Sequence, residues 1–179
     1  MMAPSDPIVV VVMGVSGVGK TTVSEALAKR CGFAFIDGDA LHPKANIEKM
    51  SSGRPLNDAD RAPWLAKVRD WIDAQLAEGR SGVVSCSALK RKYRSELASG
   101  RAGVRLVLLE GSRALLAERL AGRKGHFMPP ALLDSQLADL EQPAPSEHVT
   151  TIDVGPPADQ IVDQIVSALG LKAARPTSI

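Results

Sequence analysis

The sequence predicts an α/β protein in which a five-stranded parallel sheet carries helices on both faces. Three observations lead there. Apolar, β-branched runs alternate with segments of helical periodicity along the whole chain, an order that needs crossover connections and therefore a parallel sheet. The first run, Ile8 to Met13, is continuously apolar, as in a strand buried on both faces. Aromatics make up only 3% of the 179 residues, so the core must rest on Val, Ile, Leu and Ala, the residues of helix-covered parallel sheets.

Residues 1–7, with two prolines among small polar residues, are expected to form a loose tail. After the strand at 8–13 comes a glycine-rich turn. A helix then runs from Lys20 to about Arg30, with Val23, Ala26 and Leu27 at helical spacing and Gly32 as its stop. Phe33–Ile36 is the second strand and ends at Asp37-Gly38-Asp39. Residues 40–61 show mixed charge and turn signals, with a break at Ser51-Ser52-Gly53. Asn57 or Asp58 caps a long helix through Trp64, Leu65, Val68, Trp71, Ile72 and Leu76 to Gly79. Gly82–Cys86 is the third strand, a basic helix begins near Leu89, and Val104–Leu109 is the fourth strand. A helix with Leu115, Leu116 and Leu120 follows, then a glycine- and proline-bearing basic segment at 122–130 that reads as a mobile lid. Leu132–Leu140 is a short helix, Val149–Val154 the fifth strand and Ala158–Leu169 a closing amphipathic helix before a frayed tail at 172–179. The reading is one domain, 1–179, with its core at about 8–170.

A net charge of +2 gives no bulk electrostatic basis for binding nucleic acid or a membrane. The longest apolar run, Ile8 to Met13, is too short to span a bilayer. The N-terminus lacks the basic start and apolar stretch of a signal peptide. Cys31 and Cys86 have no metal-ligand spacing and read as reduced thiols. The cytoplasm is the expected location and a small molecule the expected partner.

The segment Gly14-Val15-Ser16-Gly17-Val18-Gly19-Lys20-Thr21 fits Gly-x-x-x-x-Gly-Lys-Thr, set between a buried strand and a helix. Its glycines let the backbone curl until N–H groups face phosphate oxygens. The helix behind it turns its positive end to the same anion. Lys20 reaches the β- and γ-phosphates, Thr21 can bind Mg²⁺, and the nucleotide-binding segment extends to Thr22. This is the phosphate loop of the P-loop NTPase fold. By itself it specifies a nucleotide such as ATP with Mg²⁺ and leaves kinase, GTPase switch and motor ATPase open.

In such sheets ligands bind beyond the carboxyl ends of the strands. Asp37 is thereby placed beside the loop as a candidate metal ligand, and Asp39 as a candidate proton acceptor from an attacking hydroxyl. Both could instead cap a helix at Ala40. Lys90 and Arg94 share a helix face beyond the third strand, as anion contacts or as a solvated basic surface. Arg119 and Arg123, four apart before a glycine-bounded loop, suit a lid over a triphosphate.

Beyond the loop, four segments accumulate: Asp37-Gly38-Asp39-x-x-His42-Pro43-x-x-Asn46-x-x-Lys49-Met50, Pro55-Leu56-Asn57-Asp58-x-Asp60-Arg61-x-Pro63-Trp64-Leu65, Cys86-Ser87-Ala88-Leu89-Lys90-x-x-Tyr93-Arg94 and Arg123-Lys124-Gly125-His126-Phe127. Together with the loop they resemble the gluconate kinases over roughly residues 8–170. The resemblance implies ATP-dependent phosphorylation of D-gluconate at its 6-hydroxyl, a mobile lid and often a homodimer. A polyol carboxylate needs cations and hydroxyl partners. His42, Lys49, Arg54, Arg61, Lys90, Arg94 and His126 are candidates for the first, Asp39 and Ser87 for the second. Asn57, Asp58 and Asp60 read as a helix-start cluster, and Trp64, Trp71 and Met50 as core. Lys20, Asp39 and Arg123 form the expected catalytic set. Two rivals stand: a shikimate or nucleoside monophosphate kinase of the same fold, and a nucleotide-binding regulatory module without a small substrate.

Overall fold

The structure is a computed structural model that describes residues 6–122 and 130–174. Among the described residues five strands, β1 (Val9–Met13), β2 (Ala34–Asp37), β3 (Gly82–Ser85), β4 (Val104–Glu110) and β5 (Thr150–Asp153), form one parallel sheet in the order β2-β3-β1-β4-β5. Helices α1 (Lys20–Cys31), α2 (Lys44–Ser51), α3 (Asp58–Ala77), α4 (Arg91–Ala98), α5 (Arg113–Ala121), α6 (Pro130–Asp139) and α7 (Ala158–Leu169) pack around it. Turns of 3-10 helix lie at Gly38–Leu41 and Pro145–Glu147.

The central strand explains its own sequence. Val10 and Val12 enter a core with α1, α5 and α7, whereas Val9, Val11 and Met13 enter a second core with α3 and α4. Each face is covered, so every residue of β1 is apolar. With β3 on one side and β4 on the other, β1 ends at the point where the strand order reverses, the natural crevice of such a sheet.

The predicted strands and the closing helix are all present, with ends shifted by a residue or two. One element was not anticipated. Helix α2 lies in the stretch read as mixed charge and turn signals, because its buried residue is the polar Asn46 while Ile47 remains exposed. Such a helix carries no apolar stripe to read. The capping cluster ahead of α3 is as expected: Asn57 caps the helix and Asp60 closes a reciprocal capping box.

Gly38 fixes where β2 ends. A Cβ there would stand 2.2 Å from the Ser85 carbonyl oxygen, so β2 and β3 could not keep their approach with any other residue. The Trp64 indole N–H donates to the Gly38 carbonyl at 2.7 Å. A Gly38→Ala variant is therefore expected to lose stability at the upper end of the ~1–3 kcal/mol typical of overpacked sites, read as a lowered midpoint in denaturant. An unchanged midpoint would contradict this packing.

Candidate active site

The loop from Gly14 to Gly19 leaves β1 with Gly14, Gly17 and Gly19 at φ of 145°, 92° and 87°. At Gly14 a side chain would also meet the Leu109 carbonyl oxygen at 2.7 Å. Gly19 stands at the N-cap of α1 and no side chain caps that helix. The first-turn amides, including those of Thr21 and Thr22, are thus left to face an anion. Lys20 is buried in spite of its charge. Its Nζ donates to the Val15 carbonyl at 3.4 Å and lies 3.9 Å from Asp39 Oδ2.

The two aspartates that end β2 do different things. Asp37 Oδ1 accepts from the Asp39 N–H and from Ser85 Oγ, both at 3.0 Å. Asp37 therefore does the capping that the sequence left open. The turn it caps does not continue the strand, as an extended chain would, but brings Asp39 back against Lys20. Asp39 Oδ1 is enclosed and has no hydrogen-bond partner among the described residues. A buried carboxylate oxygen without a partner is costly and marks where a ligand donor belongs.

Beside this pair opens a cavity lined by polar and aromatic side chains. Its walls include His42, Arg61, Trp64, Ser87, Tyr93 and Gln136. His42, Ser87 and Gln136 also line the recess that holds Ser16, Lys20 and Asp39, so the two spaces share a wall. The His42 ring stacks on Trp64 at 4.2 Å. Asn46 Nδ2 donates to the Asp60 carbonyl at 2.8 Å and lies 3.2 Å from His42 Nδ1. That nitrogen is thereby the acceptor, and the imidazole proton sits on Nε2. Burial pushes the His42 pKa down, with Asp39 opposing and Arg61 assisting, so the ring is a neutral donor. Arg61 is buried between Tyr93 Oη at 3.1 Å and Asp139 Oδ2 at 3.0 Å. Ala88, next to Ser87, is held at a positive φ of 25°, a strained value for a residue with a side chain.

Comparison with known proteins fits this geometry. A family model described as an AAA domain matches residues 9–143. The chain is 50% identical to a gluconokinase of Gluconobacter oxydans, over 89% of this chain and 90% of that protein. It is 39% identical to the thermoresistant gluconokinase of Escherichia coli, over 89% and 91%. The chain belongs to the gluconokinase family. A crystal structure of a gluconokinase from Sinorhizobium meliloti superposes with a TM-score of 0.83 at 49% identity, covering 92% of this chain and 93% of that one.

Within this gluconokinase-family site the structure sorts the candidate residues. Lys20, Asp39, His42 and Ser87 line one recess, and Arg61 lines the adjoining cavity with His42 and Ser87. Arg94 does not. It is 1% exposed and spans Glu147 Oε1 at 2.7 Å, Glu147 Oε2 at 3.3 Å and the Leu89 carbonyl at 2.9 Å. Helical spacing put it beside Lys90, but Lys90 is the N-cap of α4 and faces Asp58 and the Tyr93 ring. Lys49 serves the capping box through Asp60 Oδ2 at 2.7 Å, and Arg54 is exposed against Ser52 Oγ. Arg119 donates to the Val154 carbonyl at 2.6 Å, near the end of β5. Arg123 and His126 lie outside the described residues. Trp64 and Met50, read as core, also line the cavity. Asn46 and Gln136 carried no signal, because their partners are defined only by the fold.

Two outcomes follow from these bonds. Arg94→Met removes the main partner of Glu147, only 13% exposed, and leaves it the Ala144 N–H at 2.7 Å and Arg91 at 3.5 Å. It should lower stability by about 1–3 kcal/mol, and a thermal midpoint near wild type would contradict the buried pair. For His42 the folded pKa is depressed, so below about pH 6.5 the unfolded chain takes up a proton that the folded chain refuses. Stability should therefore fall on acidification from there to the folded value. A melting series between about pH 7.5 and about pH 5.5 should show a larger loss for wild type than for His42→Gln, and equal losses would exclude His42 as the cause.

Proposed function

We propose that the chain transfers the γ-phosphate of ATP to the 6-hydroxyl of D-gluconate, giving 6-phosphogluconate and ADP. The observation that carries this reading is Asp39. Its Oδ2 faces the phosphate-loop lysine, its Oδ1 has no hydrogen-bond partner among the described residues, and Asp39 lines the recess that shares His42, Ser87 and Gln136 with the cavity. Asp39 accepts the hydroxyl proton as that oxygen forms its bond to the γ-phosphorus and the bond to ADP breaks. Lys20 and the first-turn amides hold the transferring phosphoryl group. Arg61 and the Nε2–H of His42 address the carboxylate and hydroxyls of the acceptor, with Ser87 as a further hydroxyl partner. Arg123 adds positive charge over the phosphates, a role supported by the Arg-Lys-Gly-His-Phe motif.

Among the described residues no three His, Cys, Asp or Glu side chains converge on one point. A Mg²⁺ ion here would take most of its oxygen ligands from phosphates and water, as this ion commonly does. Thr21 and, through water, Asp37 are the residues to hold it, and it would supply charge neutralisation on the phosphates. No described helix is long and apolar enough to cross a membrane, and both cysteines are free and buried. These features support a cytoplasmic site of action.

A panel of gluconate, shikimate and nucleoside monophosphates with coupled ADP detection tests the acceptor. Gluconate should give the fastest turnover, and ADP release that ignores every sugar acid would favour the regulatory module instead. Lys20→Met should abolish turnover with the fold intact. Asp39→Asn should lower kcat by about 10²–10⁴-fold and leave ATP affinity within a few fold. An equal loss of nucleotide binding would turn Asp39 into a metal or structural residue.

A further inference from the structure

Gln136 lies on α6, far along the chain from the phosphate loop, yet its Oε1 accepts from the Ser16 N–H at 2.8 Å and from Ser16 Oγ at 3.1 Å. The Val15–Ser16 peptide unit has two further partners. Its carbonyl, on Val15, accepts from Lys20 Nζ and from the Val18 N–H, each at 3.4 Å. In a trans peptide the N–H and C=O point in opposite directions from one rigid plane. A force that sets the N–H therefore also sets the carbonyl. Three residues further along α6, Asp139 holds Arg61 of the acceptor cavity. One helix thus grips the donor loop and the acceptor wall together.

From this we infer that Gln136 is a positioning residue for Lys20, acting through the Val15–Ser16 peptide plane. Ser16 N–H is turned toward Gln136, and the plane so fixed presents the Val15 carbonyl to the Lys20 ammonium. Without the amide oxygen only the long Val18 N–H bond is left to hold the plane, and Lys20 loses the fixed orientation of one of the two groups that face it, the other being Asp39. Glutamine suits the task because a neutral amide oxygen can take two donors without placing an anion beside a triphosphate.

The inference rests on the reading of Lys20 as a triphosphate ligand, and its test needs no acceptor. Affinity for a non-hydrolysable ATP analogue is measured in wild type, Gln136→Met, Lys20→Met and the double variant. Melting curves confirm the fold, and Gln136→Leu serves the same comparison if Gln136→Met does not fold. Gln136→Met alone should weaken binding by about fivefold, within the range of coupled contacts. In the Lys20→Met background the same change should cost less than about twofold. Equal losses in both backgrounds, or no loss in either, would overturn the inference. In parallel, wild type is assayed for gluconate turnover. Failure there would strike the acceptor assignment and leave the nucleotide cycle readable.

Discussion

The Gly38 backbone is pressed between two neighbours, the Ser85 carbonyl behind it and the Trp64 indole that donates to its own carbonyl. Asp37, one residue earlier, is tied to Ser85 Oγ. The chain cannot continue as a strand from a point held this way, and it turns at once into the short 3-10 segment. That turn brings Asp39 against Lys20 and delivers His42 onto the face of Trp64. The same indole thus sets Asp39, the proposed proton acceptor, and one wall of the cavity beside it. Trp64 is 1% exposed and sits in the core under α3, so the reacting groups inherit the rigidity of that core.

Cations around the site divide by what they already hold. Arg94 is enclosed, and a carboxylate and a carbonyl occupy its guanidinium. Breaking such a pair for a substrate would leave Glu147, whose carboxyl Arg94 holds below the usual range, without its main partner. Arg61 also has partners, but they are a phenol and one carboxylate, and the side chain borders the cavity. Lys90 and Lys92 both engage Asp58, whose carboxyl is held far below the ordinary range by Lys92 and then Tyr93. These exposed pairs contribute little to stability. Their effect is to keep the rim of α4 electrically settled while Arg61 faces inward.

Much of this was readable before the fold was known, and the reason differs from residue to residue. The phosphate loop is contiguous, so its glycines, lysine and threonine reveal their shared job by spacing alone. The apolar run of β1 and the Asn57–Asp60 capping box are likewise local. Arg94 was misplaced because helical periodicity reports which residues share a face and not what that face meets. Its partner Glu147 lies on a different segment, far along the chain. Helix α2 was overlooked because it is held by Asn46, whose bonds to the Asp60 carbonyl and His42 leave no apolar trace. Gln136 is the extreme case. It touches Ser16 across 120 positions, and nothing in either residue type announces the pairing.

The donor and acceptor halves of the site are therefore built on different principles. The nucleotide is met by one uninterrupted segment, whose amides and helix end are fixed by backbone geometry. The cavity proposed for the acceptor is lined by side chains from the turn after β2, from α3, from the segment after β3 and from α6. Under the proposed function, such an assembly could change which molecule it accepts by altering His42, Arg61 or Ser87 without disturbing the phosphate loop. It cannot change α6 so freely. Gln136 and Asp139 sit on one helical face and bond to opposite halves, so a shift of that helix alters the loop and the cavity wall together. Substrate choice is thus separable from phosphate chemistry at most positions of the site and joined to it at this helix.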